Sequence, residues 1–130
     1  MPAPKPIQLI LARQLASSLA VPILLVDTEG TLVFYNEPAE EILNQRFEET
    51  GEIPPEEWHR YVTVADENRE PLPPDERPMR AALLSRQPVS RRMWSKHSGG
   101  PWRQIQVTAL PVIGEGDHLL GVMNIFWVVE

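Results

Sequence analysis

The chain of 130 residues contains no cysteine. Disulfides, thiolate metal sites, cysteine nucleophiles and any photochemistry that closes a flavin–cysteine bond are thereby excluded. Histidine is scarce as well: His59, His97 and His118 lie far apart without HxxxH spacing, so no metal centre is expected. The seven glycines form no phosphate loop, because Gly99-Gly100 and Gly114-Glu115-Gly116 read as hairpin connections, and none of the six serines lies in a GxSxG context. No apolar run approaches the length of a membrane span. The opening residues 1–6 are a proline-rich, extended lead-in rather than a charged-then-apolar leader, so a cytoplasmic location without membrane attachment is expected. Bases are outnumbered twelve to eighteen, for a net charge of −6, which speaks against nucleic acid as a partner.

What is present is an ordinary globular composition, 42% hydrophobic and 23% charged. One domain of this size buries roughly two-thirds of its unfolded surface, enough for a core without staples. The charge is segregated. Residues 37–76 hold thirteen acids against three arginines, whereas residues 77–103 hold seven bases and no acid. Such a division reads either as two solvated faces or as a dipolar surface that orients an acidic partner, with Arg77, Arg80, Arg86, Arg91, Arg92 and Arg103 as its basic side.

Residues 7–19 place Ile7, Leu11, Leu15 and Leu19 on one helical stripe, with Ile10 beside it, before Pro22 ends the pattern. This helix either lies on its own domain or pairs with another copy. Residues 23–26 and 31–35 are strand-like and flank Asp27-Thr28-Glu29-Gly30, where Asp27 offers a side-chain acceptor and Gly30 tolerates positive φ. Asn36, followed by Glu37-Pro38, opens a short helix that Asn44 closes. Residues 45–75 are acidic and broken by prolines, with Trp58, Tyr61, Val62 and Val64 as apolar anchors of loops and short helical turns. A second helix is expected from about Pro78 to before Pro88, capped by Asp75 and burying Met79, Leu83 and Leu84. Three strand-like runs then follow, at 89–96, 102–112 and 119–129. The fold class is α+β: one five-stranded antiparallel sheet with helices on one face, preceded by an N-terminal amphipathic helix. Residues 1–20 form the extension and helix, and 21–130 the domain proper.

Four pieces in order carry a resemblance. Asp27-x-x-Gly30-x-Leu32-x-x-x-Asn36 is similar to the first hairpin of PAS domains, the α+β sensor modules of bacterial signalling proteins, and Ala39 and Leu43 match small and apolar positions of the helix that follows it. Residues 71–89 resemble the connector and long helix of the sensor-kinase PAS subgroup, and residues 102–111 with Gly121 resemble the last two strands. The resemblance covers about 110 residues. It implies a sheet wrapped around a small internal cavity, which in the family holds haem, flavin, an organic acid, another metabolite or nothing. Haem is disfavoured, because His59, the only histidine of the helical middle, lies in the acidic turn Glu56-Glu57-Trp58-His59-Arg60. The cofactor is otherwise left open. PAS domains that drive an attached effector often end in an Asp-Ile-Thr segment, whereas here the matching positions are Val128-Val129-Glu130. A freestanding module that signals through a separate protein, such as a kinase or regulator, is therefore the expectation.

Strand alternation then suggests the site. Val122, Asn124, Phe126 and Val128 share one face of the last strand, and Met123, Ile125, Trp127 and Val129 share the other. Asn124 is a polar amide within an apolar strand and needs partners if buried. The expected ligand-binding walls are Phe34, Trp58, Met79, Leu83, Ile105, Val107, Val122, Asn124 and Phe126. The other face is left apolar, so Ile7, Leu11, Leu15 and Leu19 are expected to meet Met123, Ile125 and Trp127 in a homodimer. Three function classes stand together at this point. They are a sensory or interaction module with a small apolar or amphipathic ligand, a ligand-free adaptor acting through charged faces, and a small α+β isomerase with Asp27 as its carboxylate. Catalysis is not expected, because the turn explains Asp27 more simply.

Overall fold

The computed structural model describes residues 7–97 and 100–129. The lead-in, Ser98, Gly99 and Glu130 lie outside this range. Chain order is α1 (Ile7–Ser18), β1 (Ile23–Asp27), β2 (Leu32–Tyr35), α2 (Glu37–Leu43), α3 (Phe47–Thr50), α4 (Pro55–Trp58), β3 (Val62–Ala65), α5 (Pro78–Ser85), β4 (Val89–His97), β5 (Arg103–Ile113) and β6 (Leu119–Val128). The strands form one antiparallel sheet ordered β2-β1-β6-β5-β4-β3.

The sheet thus has six strands, not five. The additional strand is β3, which pairs with β4 from Val62↔His97 to Ala65↔Trp94. Its Val-Thr-Val-Ala sequence alternates with period two, but the acidic, proline-rich surroundings obscure so short a strand. Pro71 also bridges to Ala65, which pins the connector to this edge.

The hairpin forms as its turn chemistry dictates. Asp27 Oδ1 accepts from the Glu29 and Thr31 amides at 2.9 and 3.0 Å, and Gly30 adopts φ +88°. Asn36 caps α2 by accepting from the Ala39 amide at 3.2 Å, with Pro38 and two acids in the first turn; Asn44 ends it in the left-handed conformation at φ 55°. Helix α5 departs from expectation at its start. Arg77 occupies the cap position without a side-chain bond to the helix, while Asp75 lies in a preceding 3-10 turn and pairs with Arg80 at 3.4 Å. The buried residues of α5 are Pro78 and Ala82; Met79 and Leu83 are half-buried and Leu84 faces solvent.

Two cores flank the sheet. The inner one joins Leu24, Val26, Leu32, Tyr35, Val107, Ala109, Val122 and Phe126 to Leu43, Trp58 and Ala82 from the helices. The outer one joins Ile23, Leu25, Val33, Phe34 and Met123 to Leu9 and Ala16 of α1. Helix α1 therefore does lie on the outer face, though not through its predicted stripe. Ile7, Ile10, Leu11, Leu15 and Leu19 are exposed, and the packing face is Leu9, Ala12 and Ala16. The small alanines allow the helix backbone to approach the sheet closely, which the bulkier leucine stripe would prevent. Met123 is buried beneath this helix and Ile125 is half-buried, but Trp127 remains 44% exposed.

Gly121 holds the sheet centre together. A Cβ there would stand 2.1 Å from the Val26 carbonyl oxygen, so only glycine permits the observed approach of β6 to β1.

Candidate functional site

Between the inner sheet face and the helical middle lies a cavity of about 230 Å³. Trp58, Met79, Leu83, Ile105, Val107, Asn124 and Phe126 line it, as alternation of β5 and β6 implies. Two expected wall residues stand elsewhere. Val122 is fully buried in the inner core but not at the cavity wall. Phe34 points to the opposite side of the sheet, where it packs edge-on against Phe47 at 5.1 Å beneath the Arg13 guanidinium at 4.7 Å. The reason is a register shift in the hairpin. Leu25 pairs with Phe34 and Val26 with Leu32, so the extra residue Val33 sends Phe34 outward while Leu32 and Tyr35 both face inward.

The wall is fixed by side chains that reach across elements. Trp58 Nε1 donates to the Gly30 carbonyl at 2.9 Å, tying the helical middle to the hairpin turn. Leu32 and Ile53 exchange backbone bonds of 2.8 and 2.9 Å just behind it. Tyr35 bonds Thr50 through its hydroxyl at 2.8 Å, and burial raises its pKa above the usual tyrosine range.

Asn124 is the exceptional wall residue. It is only 8% exposed, pairs in register with Leu24 and Ala109, and its Oδ1 has no hydrogen-bond partner among the described residues. A buried amide oxygen left unsatisfied costs about 1–3 kcal/mol. Val122 and Phe126 on the same face carry no polar atom that could relieve it.

Several cavity residues escape the alternation rule, because they come from loops, the end of β4 and the start of α5. His59, Ser95, His97, Arg77, Arg80 and Glu29 contribute its polar rim. His59 packs its ring against Trp58 at 4.3 Å between centroids. Partial desolvation of that ring against Trp58, and then the neighbouring Arg77 guanidinium, lower its pKa below the usual histidine range. His59 is exposed, as the acidic segment suggests from sequence, and His97 lies at the end of β4; both also border the cavity. Among the described residues no group of three or more His, Asp or Glu is placed to hold a metal ion, and no helix is long and apolar enough to cross a membrane. Asp27 is occupied by the two turn amides.

No protein-family model matches the sequence, and no curated protein does. Solved structures do. The chain is similar to the PAS domain of BvgS from Bordetella pertussis, with a TM-score of 0.65 and 16% identity over 94% of this chain and 85% of that one. It is also similar to the PAS domain of nitrogen regulation protein NR(II) from Vibrio parahaemolyticus, at TM-score 0.62 and 13% identity over 92% and 98%. The PAS domain of the fruit-fly ELK potassium channel superposes with TM-score 0.70 at 7% identity, over 93% and 96%. Hairpin, helical middle and three closing strands occur in the order the motifs suggest, around a cavity on the inner sheet face. The chain has the fold of a PAS domain.

Proposed function

We propose that this PAS-fold domain is a sensory and interaction module that takes a small apolar or amphipathic molecule into its inner cavity. The observation that carries this reading is Asn124. An apolar cavity bordered by one buried amide, its oxygen without a partner among the described residues, is the arrangement of a site in which hydrophobic surface supplies affinity and a single polar group supplies orientation. At about 230 Å³ the space falls below the roughly 300–1,000 Å³ of sites for drug-sized ligands, so the molecule is small. Trp58, Met79, Leu83, Ile105, Val107, Asn124 and Phe126 form the contact surface.

The same reading assigns output to the opposite face. The exposed stripe of Ile7, Leu11 and Leu15 on α1, with Trp127 on β6, supports a homodimer, and a separate signalling protein receives the signal. The relatives fit a regulatory role: one is a nitrogen regulation protein and another belongs to a potassium channel. Segregation of acids and bases supports a second reading, a ligand-free adaptor that recognises an acidic partner through its arginines. Native mass spectrometry and an absorbance scan of the purified protein separate the two. The sensor reading predicts a retained small-molecule mass, or uptake of 1-octanol supplied to the protein. Neither retention nor uptake is the adaptor's outcome.

A further inference from the structure

Strand β2 stands at one end of the sheet order, and its consecutive residues face opposite sides: Phe34 belongs to the outer core and Tyr35 to the inner one. An edge strand leaves backbone groups and both faces open unless something covers it. Residues 47–53 cover this one. Ile53 exchanges backbone bonds with Leu32, Thr50 bonds the Tyr35 hydroxyl, and Phe47 stands edge-on to two rings at once, 5.1 Å from Phe34 and 5.4 Å from Tyr35. Phe47 thereby touches both cores around the end of the sheet.

This segment is tied to a different helix on each side. On the inner side the Phe47 amide donates to Glu40 Oε2 at 2.7 Å, and the same helix α2 places Ile42 and Leu43 on the cavity wall. On the outer side the Arg13 guanidinium of α1 lies 4.7 Å from the centre of the Phe34 ring and 5.2 Å from that of Phe47. Helix α1 has a narrow apolar hold on the sheet, through Leu9, Ala12 and Ala16, so contact of one cation with two rings adds materially to its attachment.

We infer that residues 47–53 form a strap that couples the cavity wall to α1 around the edge of β2, with Phe47 as its joint and Arg13 as its latch. A shift of α2 moves the Phe47 ring through Glu40, and the displaced ring no longer meets Arg13. Coupling is reciprocal, so loosening α1 also loosens α3 and the α2 wall. The strap belongs to the fold without any bound molecule and goes beyond the ligand reading, which stands or falls separately.

The test is hydrogen exchange followed by NMR on the full chain, comparing the parent with Arg13→Gln, Phe47→Leu and the double variant, the folding of each checked by circular dichroism. Arg13 is exposed, yet Arg13→Gln should speed exchange in α1 by about two- to fivefold, the factor that corresponds to one exposed cation–π contact. It should also speed exchange of the Gly51 amide, which donates to the Phe47 carbonyl at 2.8 Å, and shift the Ile42 and Leu43 methyl signals, with β5 unaffected. Phe47→Leu should loosen α1 at least as much, and the double variant little more than Phe47→Leu alone, because the two substitutions break the same contact. Unchanged exchange in α1 of Arg13→Gln would overturn the strap. So would faster α1 exchange with the Gly51 amide and the Ile42 and Leu43 methyls unmoved, or additive effects of the two substitutions, since α1 would then dock independently of the strap. If Phe47→Leu does not fold, Arg13→Gln decides by the same readouts.

Discussion

Asn36 Nδ2 donates to the Ala16 carbonyl at 2.9 Å, joining the last turn of α1 to the cap of α2. The same amide group donates to the Val21 carbonyl at 2.8 Å and accepts from the Ile23 and Ala39 amides at 3.0 and 3.2 Å. One buried side chain, 2% exposed, thus holds the outer helix, the first strand and the inner helix at a single point. It bonds four backbone groups, one of them the Ala16 carbonyl at the end of α1, which also accepts from the Leu19 amide at 3.2 Å. The junction ties the position of α2 to the end of α1.

Asn36→Ala removes a cap and strands buried partners, so a loss of about 2–4 kcal/mol is expected in urea unfolding. Asn36→Asp keeps both acceptor bonds but loses both donors and faces two carbonyl oxygens with a carboxylate. Hydrogen exchange should then accelerate in α1 more than in β5 and β6. Uniform acceleration across the sheet would contradict the proposed junction.

Gly121→Ala places a methyl group 2.1 Å from the Val26 oxygen, and backbone cannot yield there without opening β1 from β6. A loss of about 3 kcal/mol or more is expected, against about 1–3 kcal/mol for Gly51→Ala, where the space is open and the cost is a backbone of φ +60° and ψ −154° that side chains rarely adopt. A Gly121→Ala melting temperature equal to that of the parent chain would refute the close approach of the two strands.

Asn124→Leu should stabilise the ligand-free protein by about 1–2 kcal/mol, since a nearly isosteric apolar side chain removes an unsatisfied buried oxygen. A gain in stability accompanied by a loss of ligand recognition marks a residue kept for function. Destabilisation in thermal unfolding would show that Asn124 is satisfied structurally.

His59 contributes a pH dependence whose sign is fixed by its lowered pKa. As pH falls below 6.5 the unfolded chain takes up the proton before the folded one, so stability is complete above that value and declines towards the folded pKa, then levels. Urea midpoints measured between about pH 5 and 7.5 should therefore slope upward with pH. His59→Gln should flatten this slope in part, and an unchanged slope would place its origin elsewhere.

Leu11→Glu with Leu15→Glu changes two side chains that are 55% and 54% exposed, so folding should shift by no more than about 0.5 kcal/mol. Light scattering at micromolar concentration should report a dimer for the parent chain and a monomer for the variant. A monomeric parent would remove the dimer.

How much of this is legible in the sequence differs by element. The Asp27 turn, the Asn36 and Asn44 caps and the face alternation of β6 follow from local chemistry, and the structure holds each of them. The facing of Phe34 does not follow, because a single unpaired residue in β2 reverses it, and no composition signal marks the bulge. The α1 stripe misleads for a related reason: the large hydrophobic residues are the more visible pattern, while close packing against a sheet selects the alanines on the neighbouring face. Asn124 is conspicuous as a polar residue among apolar ones. Arg77, His59 and His97 are not, since their approach to the cavity depends on how the proline-broken segment folds back.

Sensing by this domain requires that the inner cavity accept a molecule. A methyl NMR titration with 1-octanol and with 8-hydroxyoctanoate tests this directly, whatever the natural ligand is. Saturable shifts concentrated at Leu83, Ile105 and Val107, abolished by Asn124→Phe, are the predicted result. Shifts confined to the exposed Leu11 and Leu15 methyls, or none that saturate, would contradict it.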